Sequence, residues 1–250
     1  MPRIAIFDCP LGIAGDMTVG ALLDAGMPFE LLKQELKNLH LTGYALALKK
    51  VRSGAFRAAK FEVKIKTHRH HHHISLREIE KQIQKSKLQP AIKQKAIAIF
   101  RNLGRAEARV HGIPIQKVRF HEVGAVDSFI DIVGTAICFH YLKIEKAYVR
   151  SIVVGRGLQQ GDHGEMPVPV PGAYELLKGF WIIQSDYEQE MVTPTGAAIL
   201  KTLCGQAKIP KMKLETIGYG AGDRTFDGEH GEHSERSERG LLRVSLGIVA

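Results

Sequence analysis

The chain has 250 residues, of which 44% are hydrophobic and 24% charged, a composition that leaves room for one large domain or two small ones and excludes a disordered chain. No apolar run reaches the roughly 20 residues a spanning helix needs, so no membrane role is expected. The three cysteines, Cys9, Cys138 and Cys204, are too far apart and too few for a disulfide framework or a thiolate zinc cluster. The formal charge of +9 is uneven: residues 49–101 hold fifteen Lys and Arg against three acids, and the rest of the chain holds 20 against 23. That basic segment carries few aromatics and no nucleic-acid-binding signature, which argues against stacking readout of nucleic acid and leaves a solvated face or an anionic small ligand.

Arg3 to Phe7 alternates like a buried strand and ends in Asp8, which breaks the apolar stretch that a secretory signal would need. A turn with Gly12 and Gly15 leads into the helical spacing of DMTVGALLDAG, and Pro28 opens a second helical pattern through Leu39. The alternating stretches Tyr44–Val51 and Phe56–Ile65 predict an antiparallel hairpin. A histidine-rich loop follows, and Ser75 with Glu78 makes a capping box for a helix that ends near Ser86. Pro90 to Val110 predicts a long amphipathic helix, and Val126 to Leu142 a more apolar one. A strand at Ala147–Val154, a loop from Gly155 to Pro171, a short helix to Lys178, a strand near Trp181–Gln184 and a helix at Thr195–Leu203 come next. The polar stretch from Gly220 to Gly240 reads as a loop before a last strand, Leu241–Ile248. The expected fold class is α+β, or alternatively α/β, with a mixed sheet and packed helices. Residues 43–110 could form a sub-lobe.

His68, His70, His71, His72 and His73 place five imidazoles in six positions, a set that can offer several ring nitrogens to one borderline divalent ion such as Ni(II) without a preformed cage. A polar loop is the plain alternative. Asp127 and Asp131 stand four apart on one face of an apolar helix, where two like charges need partners: a helix start, basic side chains from the 49–101 segment, or a cation or proton shared with His121 and Glu122. Glu107 and His111 share the same spacing and read as a surface contact. The turn with Gly12, Gly15 and Asp16 could present backbone N–H groups to a phosphate, although Asp16 opposes a bare anion unless a metal bridges the two. His163 is a candidate ligand in the glycine- and proline-rich loop, and Thr193 and Thr195 open a helix, with Thr195 the expected cap or anion contact. His230 and His233 read as solvated loop residues.

DCPLGIAGDM, HRHHHH, FHEVGAVDSFIDIVG, DHGEMPVPVP, VTPTGAAIL and IGYGAGDR, in this order from end to end, resemble the nickel insertion proteins of lactate racemase maturation, the LarC family. The resemblance implies a nickel chelatase or cyclometallase of the lyase class. Such an enzyme inserts Ni(II) into pyridinium-3,5-bisthiocarboxylic acid mononucleotide with CTP as co-substrate and forms a nickel–carbon bond. It further implies that the chain corresponds to the N-terminal part, that a separate C-terminal part holds CTP, and that lactate racemase receives the product. The setting so implied is cytoplasmic and homo-oligomeric, without nucleic acid or membrane. The chemistry then assigns nickel capture to the histidine run and phosphate neutralisation to the basic segment. Proton removal falls to His121, Glu122, Asp127 or Asp131, with His121 favoured by its pKa. A non-catalytic histidine-rich store or carrier of Ni or Zn is the alternative, and a nucleic-acid binder the third.

Overall fold

The computed structural model describes residues 1–66, 74–120, 126–161, 164–226 and 238–249. Strand β1 (Arg3–Cys9) passes through a tight turn into α1 (Gly15–Asp24), followed by α2 (Phe29–Lys37). The expected hairpin is present as β2 (Tyr44–Ser53) and β3 (Phe56–Ile65), paired in continuous register from Tyr44↔Ile65 to Ser53↔Phe56. After β4 (Ile74–Ser75), α3 (Leu76–Lys85) starts on the predicted capping box: Ser75 Oγ accepts from the Glu78 amide at 3.3 Å, and the Glu78 carboxylate accepts from the Ser75 amide at 2.8 Å. The long helix is α4 (Pro90–Val110), with β5 (Arg119–Phe120) pairing β4, then α5 (Val126–Tyr141) and β6 (Lys146–Val154).

The loop expected from Gly155 to Pro171 contains a small hairpin, β7 (Leu158–Gly161) and β8 (Gly164–Pro167), before α6 (Pro171–Leu176). The strand near Trp181 shrinks to β9 (Ile183–Gln184), followed by α7 (Pro194–Leu203) and β10 (Cys204–Gly205). The polar stretch read as a loop from Gly220 is strand as far as Phe226. It is the end of β11 (Met212–Phe226), which pairs with β12 (Glu238–Val249) up to Phe226↔Glu238. Backbone pairing along β12 carries this segment, so its side chains need not be apolar.

The main sheet runs β10-β6-β1-β12-β11-β3-β2, with β9 adding to β6. Parallel pairs (β10 with β6, β1 with β6, β11 with β3) occur beside antiparallel ones (β1 with β12, β11 with β12, β2 with β3), so the sheet is mixed and the class is α+β. The basic hairpin is thereby one end of the main sheet, joined to β11 at Gly220↔Ala59. Helix α5 is buried on every side from Phe129 to Phe139, as an all-round apolar helix must be. Phe100 of α4 packs on Phe129 with ring centroids 5.3 Å apart, and Phe139 stacks on Phe7 of β1 at 6.2 Å. Cys9 and Cys138 are buried, and the three cysteines are unpaired. No helix among the described residues is long and apolar enough to cross a membrane.

Helix α1 lies directly on β11, β3 and β12, and glycines set how close it comes. A Cβ on Gly220 would stand 1.9 Å from the Met17 carbonyl oxygen, and one on Gly218 would stand 2.0 Å from that of Ala21. Both contacts are with helix backbone, which cannot rotate away as a side chain can. Gly220→Ala should therefore destabilise the protein by about 3 kcal/mol through overpacking. Gly205→Ala, where a Cβ meets nothing within 4 Å, should stay within about 0.5 kcal/mol of wild type. Urea unfolding of the two variants checks the contrast.

Candidate functional site

The turn between β1 and α1 is zipped to the segment that precedes α7. Ile13 and Val192 form a parallel bridge, the Ile13 amide donates to the Met191 carbonyl at 2.9 Å, and the Thr193 amide donates to the Ile13 carbonyl at 3.1 Å. Gly12 is needed here twice over: its φ is 82°, and a Cβ would lie 1.8 Å from the Met191 carbonyl oxygen. The bridge sets the N-termini of α1 and α7 side by side. Thr193, not Thr195, caps α7, its hydroxyl accepting from the Gly196 amide at 3.2 Å with Pro194 in the first turn. The proline fixes which threonine can stand outside the helix. Thr195 is instead buried, facing the start of α1.

Gly15 is where three helices meet. A Cβ there would fall 2.6 Å from Asp131 Cβ, 2.7 Å from Asp131 Oδ2 and 2.9 Å from Thr195 Cγ2. Only a hydrogen at this position lets the start of α1 touch both α5 and α7. Asp16 follows, half-buried, and Asp127 lies one turn before Asp131 on α5. Asp127 is exposed and accepts from the Ser128 amide at 2.8 Å. Asp131 is 9% exposed, and its Oδ1 has no hydrogen-bond partner among the described residues.

Opposite these carboxylates stands the basic hairpin. Lys49 of β2 and Lys64 of β3 reach Glu62 at 2.8 Å and 3.9 Å, and Lys60, itself buried, lies 3.7 Å from Glu62 and bonds Asp223 of β11. Arg224 binds Glu190 at 2.6 Å and donates to the Glu190 carbonyl. Between the two sides is a cleft of about 770 Å³, lined on one side by Gly15, Asp16, Asp127, Asp131, Thr193 and Thr195 and on the other by Lys49, Glu62, Lys64, Glu190, Asp223 and Arg224.

The charges are segregated. Glu62, Glu190 and Asp223 each have a Lys or Arg, whereas among the described residues no Lys or Arg nitrogen lies within 4 Å of Asp16, Asp127 or Asp131. Lys49, first among its neighbours, holds the Glu62 carboxyl below its usual range. Asp131 is pushed well above the usual carboxylate range, chiefly by burial and then by the facing Asp16 and Asp127. Asp16 is pushed up to about 6, again by burial first, with Asp223 adding to the rise and the Met17 amide and Lys60 opposing it.

Six of the residues singled out from the sequence, Gly15, Asp16, Asp127, Asp131, Thr193 and Thr195, thus share one cleft, and Gly12 shapes the turn behind it. Asp127 and Asp131 do share a face, and the basic segment supplies the opposite wall without pairing them. The candidates His68, His70, His71, His72, His73, His121, Glu122 and His163, along with His230 and His233, lie outside the described residues. Among the described residues no three His, Cys, Asp or Glu side chains are grouped to hold a metal ion. Glu107 and His111 form the expected local contact, 3.3 Å apart. Sequence reasoning did not single out Lys49, Lys60, Lys64, Glu190, Asp223 or Arg224. Asp223 and Arg224 belong to the GAGDR stretch, whose pairing of opposite charges beside glycines was the available signal. Asp8, at the head of the first motif, is bound by Arg243 at 2.9 Å within the sheet.

A carboxyl raised in the fold binds its proton where the unfolded chain has already released it, so its contribution is fully present below about pH 4 and is lost as pH rises through 6. Asp16→Asn removes that loss. In metal-free buffer the variant should be more stable than wild type at pH 7.5, on the order of 2 kcal/mol, with the advantage shrinking towards pH 4. Chemical denaturation at the two pH values measures it.

The sequence profile of the nickel insertion protein family matches residues 5–231. A protein of Citrifermentans bemidjiense, provisionally named a nickel insertion protein, is 46% identical over 229 residues, which are 90% of this chain and 58% of that protein. The pyridinium-3,5-bisthiocarboxylic acid mononucleotide nickel insertion proteins of two strains of Desulfitobacterium hafniense are each 44% identical over 221 residues, covering 88% of this chain and 54% of theirs. The chain therefore spans little more than half the length of these relatives. No solved structure matches it. With a match that covers most of the chain and both carboxylate-bearing helices of the cleft, the chain belongs to the nickel insertion protein family.

Proposed function

We propose that this chain is the N-terminal part of an enzyme that inserts Ni(II) into pyridinium-3,5-bisthiocarboxylic acid mononucleotide, and that the cleft is where the mononucleotide is bound and nickel joins it. The observation that carries this reading is the contrast across the cleft: three carboxylates without a close cationic partner among the described residues on the helix side, and on the sheet side a wall in which Lys49, Lys64 and Arg224 are matched by Glu62, Glu190 and Asp223. An anionic mononucleotide and a divalent metal ion need those two surfaces facing each other. Lys49, Lys64 and Arg224, with the hydroxyl of Thr193 at the start of α7, neutralise and orient the phosphate, and His163 serves as a further ligand for it. Asp16 stands at the same helix start and is compatible with an anion when a metal bridges the two.

The reaction joins nickel to a ring carbon as the hydrogen on that carbon leaves as a proton. Asp127, with His121 and Glu122 just before it in sequence, supplies the acceptor. His68 and His70–His73 follow directly in sequence from β3, whose Glu62 and Lys64 line the cleft, and they collect nickel and release it. CTP is consumed with the C-terminal part present, and the finished cofactor passes to lactate racemase in the cytoplasm, from a homo-oligomeric enzyme of the lyase class. Residues 43–110, built into the main sheet and its core, supply both the histidines and the lysine wall.

The test is cofactor formation by this chain combined with the C-terminal part, Ni(II) and CTP. Lys49→Ala with Lys64→Ala should raise KM for the mononucleotide about tenfold, the loss of roughly one charge-assisted hydrogen bond, with kcat little changed. Replacing His68 and His70–His73 by Ala should slow the reaction at scarce nickel and be rescued by excess nickel. Nickel binding without any affinity for the mononucleotide would replace this reading by that of a Ni or Zn carrier.

A further inference from the structure

We infer that Asp16 and Asp131 form a binding site for a hard divalent cation such as Mg²⁺ or Mn²⁺, separate from the nickel that the enzyme handles as cargo. The starting point is the buried oxygen. Asp131 is nine-tenths buried, and its Oδ1 has no hydrogen-bond partner among the described residues. A carboxylate oxygen out of water and without a partner is costly, and native folds compensate such groups with a proton, a cation or a donor.

The surroundings favour a cation. The chain has basic side chains to spare: Lys49 and Lys64 on the opposite wall, with the buried Lys60 behind them, gather around Glu62, and Lys60 also bonds Asp223. None of them, nor any other described Lys or Arg, comes within 4 Å of Asp16 or Asp131. The position is also built to bring oxygen donors together. The hydrogen of Gly15 is what admits Asp131 Oδ2 and the Thr195 side chain to the start of α1, beside Asp16.

The donor set selects the ion. Two carboxylates, with no described histidine or cysteine lining the cleft, are hard ligands. Mg²⁺ is commonly held by one or two carboxylates while keeping several waters, which is consistent with the absence of any closer three-ligand group among the described residues. Nickel, in contrast, favours imidazole nitrogen. The N-termini of α1 and α7 carry partial positive charge towards this point, which weakens the hold on a bare cation and favours one that shares the cleft with an anionic phosphate.

The experiment uses the chain alone, stripped of metal and titrated with Mg²⁺ or with Mn²⁺ at pH 7.5, following the melting temperature and, for Mn²⁺, the electron paramagnetic resonance signal of the free ion. The site predicts a rise in melting temperature and loss of the free Mn²⁺ signal in wild type. Affinity should drop at least tenfold in Asp131→Asn and in Asp16→Asn and be retained in Glu30→Gln, an exposed carboxylate outside the cleft. If wild type shows neither response up to about 10 mM cation, or if Asp131→Asn responds like wild type, the site does not exist and a proton compensates Asp131. Neither readout involves nickel, so a chain that binds Mg²⁺ as described yet fails to insert nickel would overturn only the function proposed above.

Discussion

The close approach of α1 to its neighbours is the constraint on which the rest of this structure depends. On one side the helix backbone meets Gly218 and Gly220 of β11 at distances no other residue tolerates, and at its first turn Gly15 meets Asp131 and Thr195. These contacts fix the helix in height above the sheet and in rotation about its axis. Rotation decides where Asp16 points, and height decides how far the helix side of the cleft stands from the lysine wall. A protein interior transmits such constraints because it is close-packed.

The cleft keeps its charges apart because different elements own them. Helices α1 and α5 contribute carboxylates near their N-termini, where the backbone dipole favours negative charge, and the hairpin contributes lysines from an end of the sheet where long side chains lie on the surface with their ammonium groups in water. Glu62 and Asp223 then gather the lysines into one wall without cancelling them. The outcome is a polar cleft with a gradient across it, suited to a ligand that is itself both metal-binding and anionic.

Much of this was readable from the residues. The Gly12–Gly15 turn, the capping box at Ser75 and Glu78, the all-apolar helix with Asp127 and Asp131 and the basic hairpin each carry local signals of turn chemistry, capping or period. The structure keeps all four. What escaped was non-local. The last seven residues of β11 look like a loop because their identity as strand comes from β12, and the cap of α7 falls on Thr193 because Pro194 claims the first turn. That the glycines of IGYGAGDR serve as a landing for α1, and that Asp223 and Arg224 end up facing α5 across the cleft, depends on pairings that no window of a few residues contains.

The place of β12 in the sheet carries one more consequence. This strand, the last in the described chain, lies between β1 and β11 and so between the first strand made and the wall that holds Asp223 and Arg224. Until it inserts, β1 with β6 and β3 with β11 are two partial sheets with open edges, and closing them brings together segments separated by more than two hundred residues. Such an order of events makes assembly slow and leaves unpaired backbone in view for its duration. On the ribosome, the sheet side of the cleft is therefore completed only after β12 has been made.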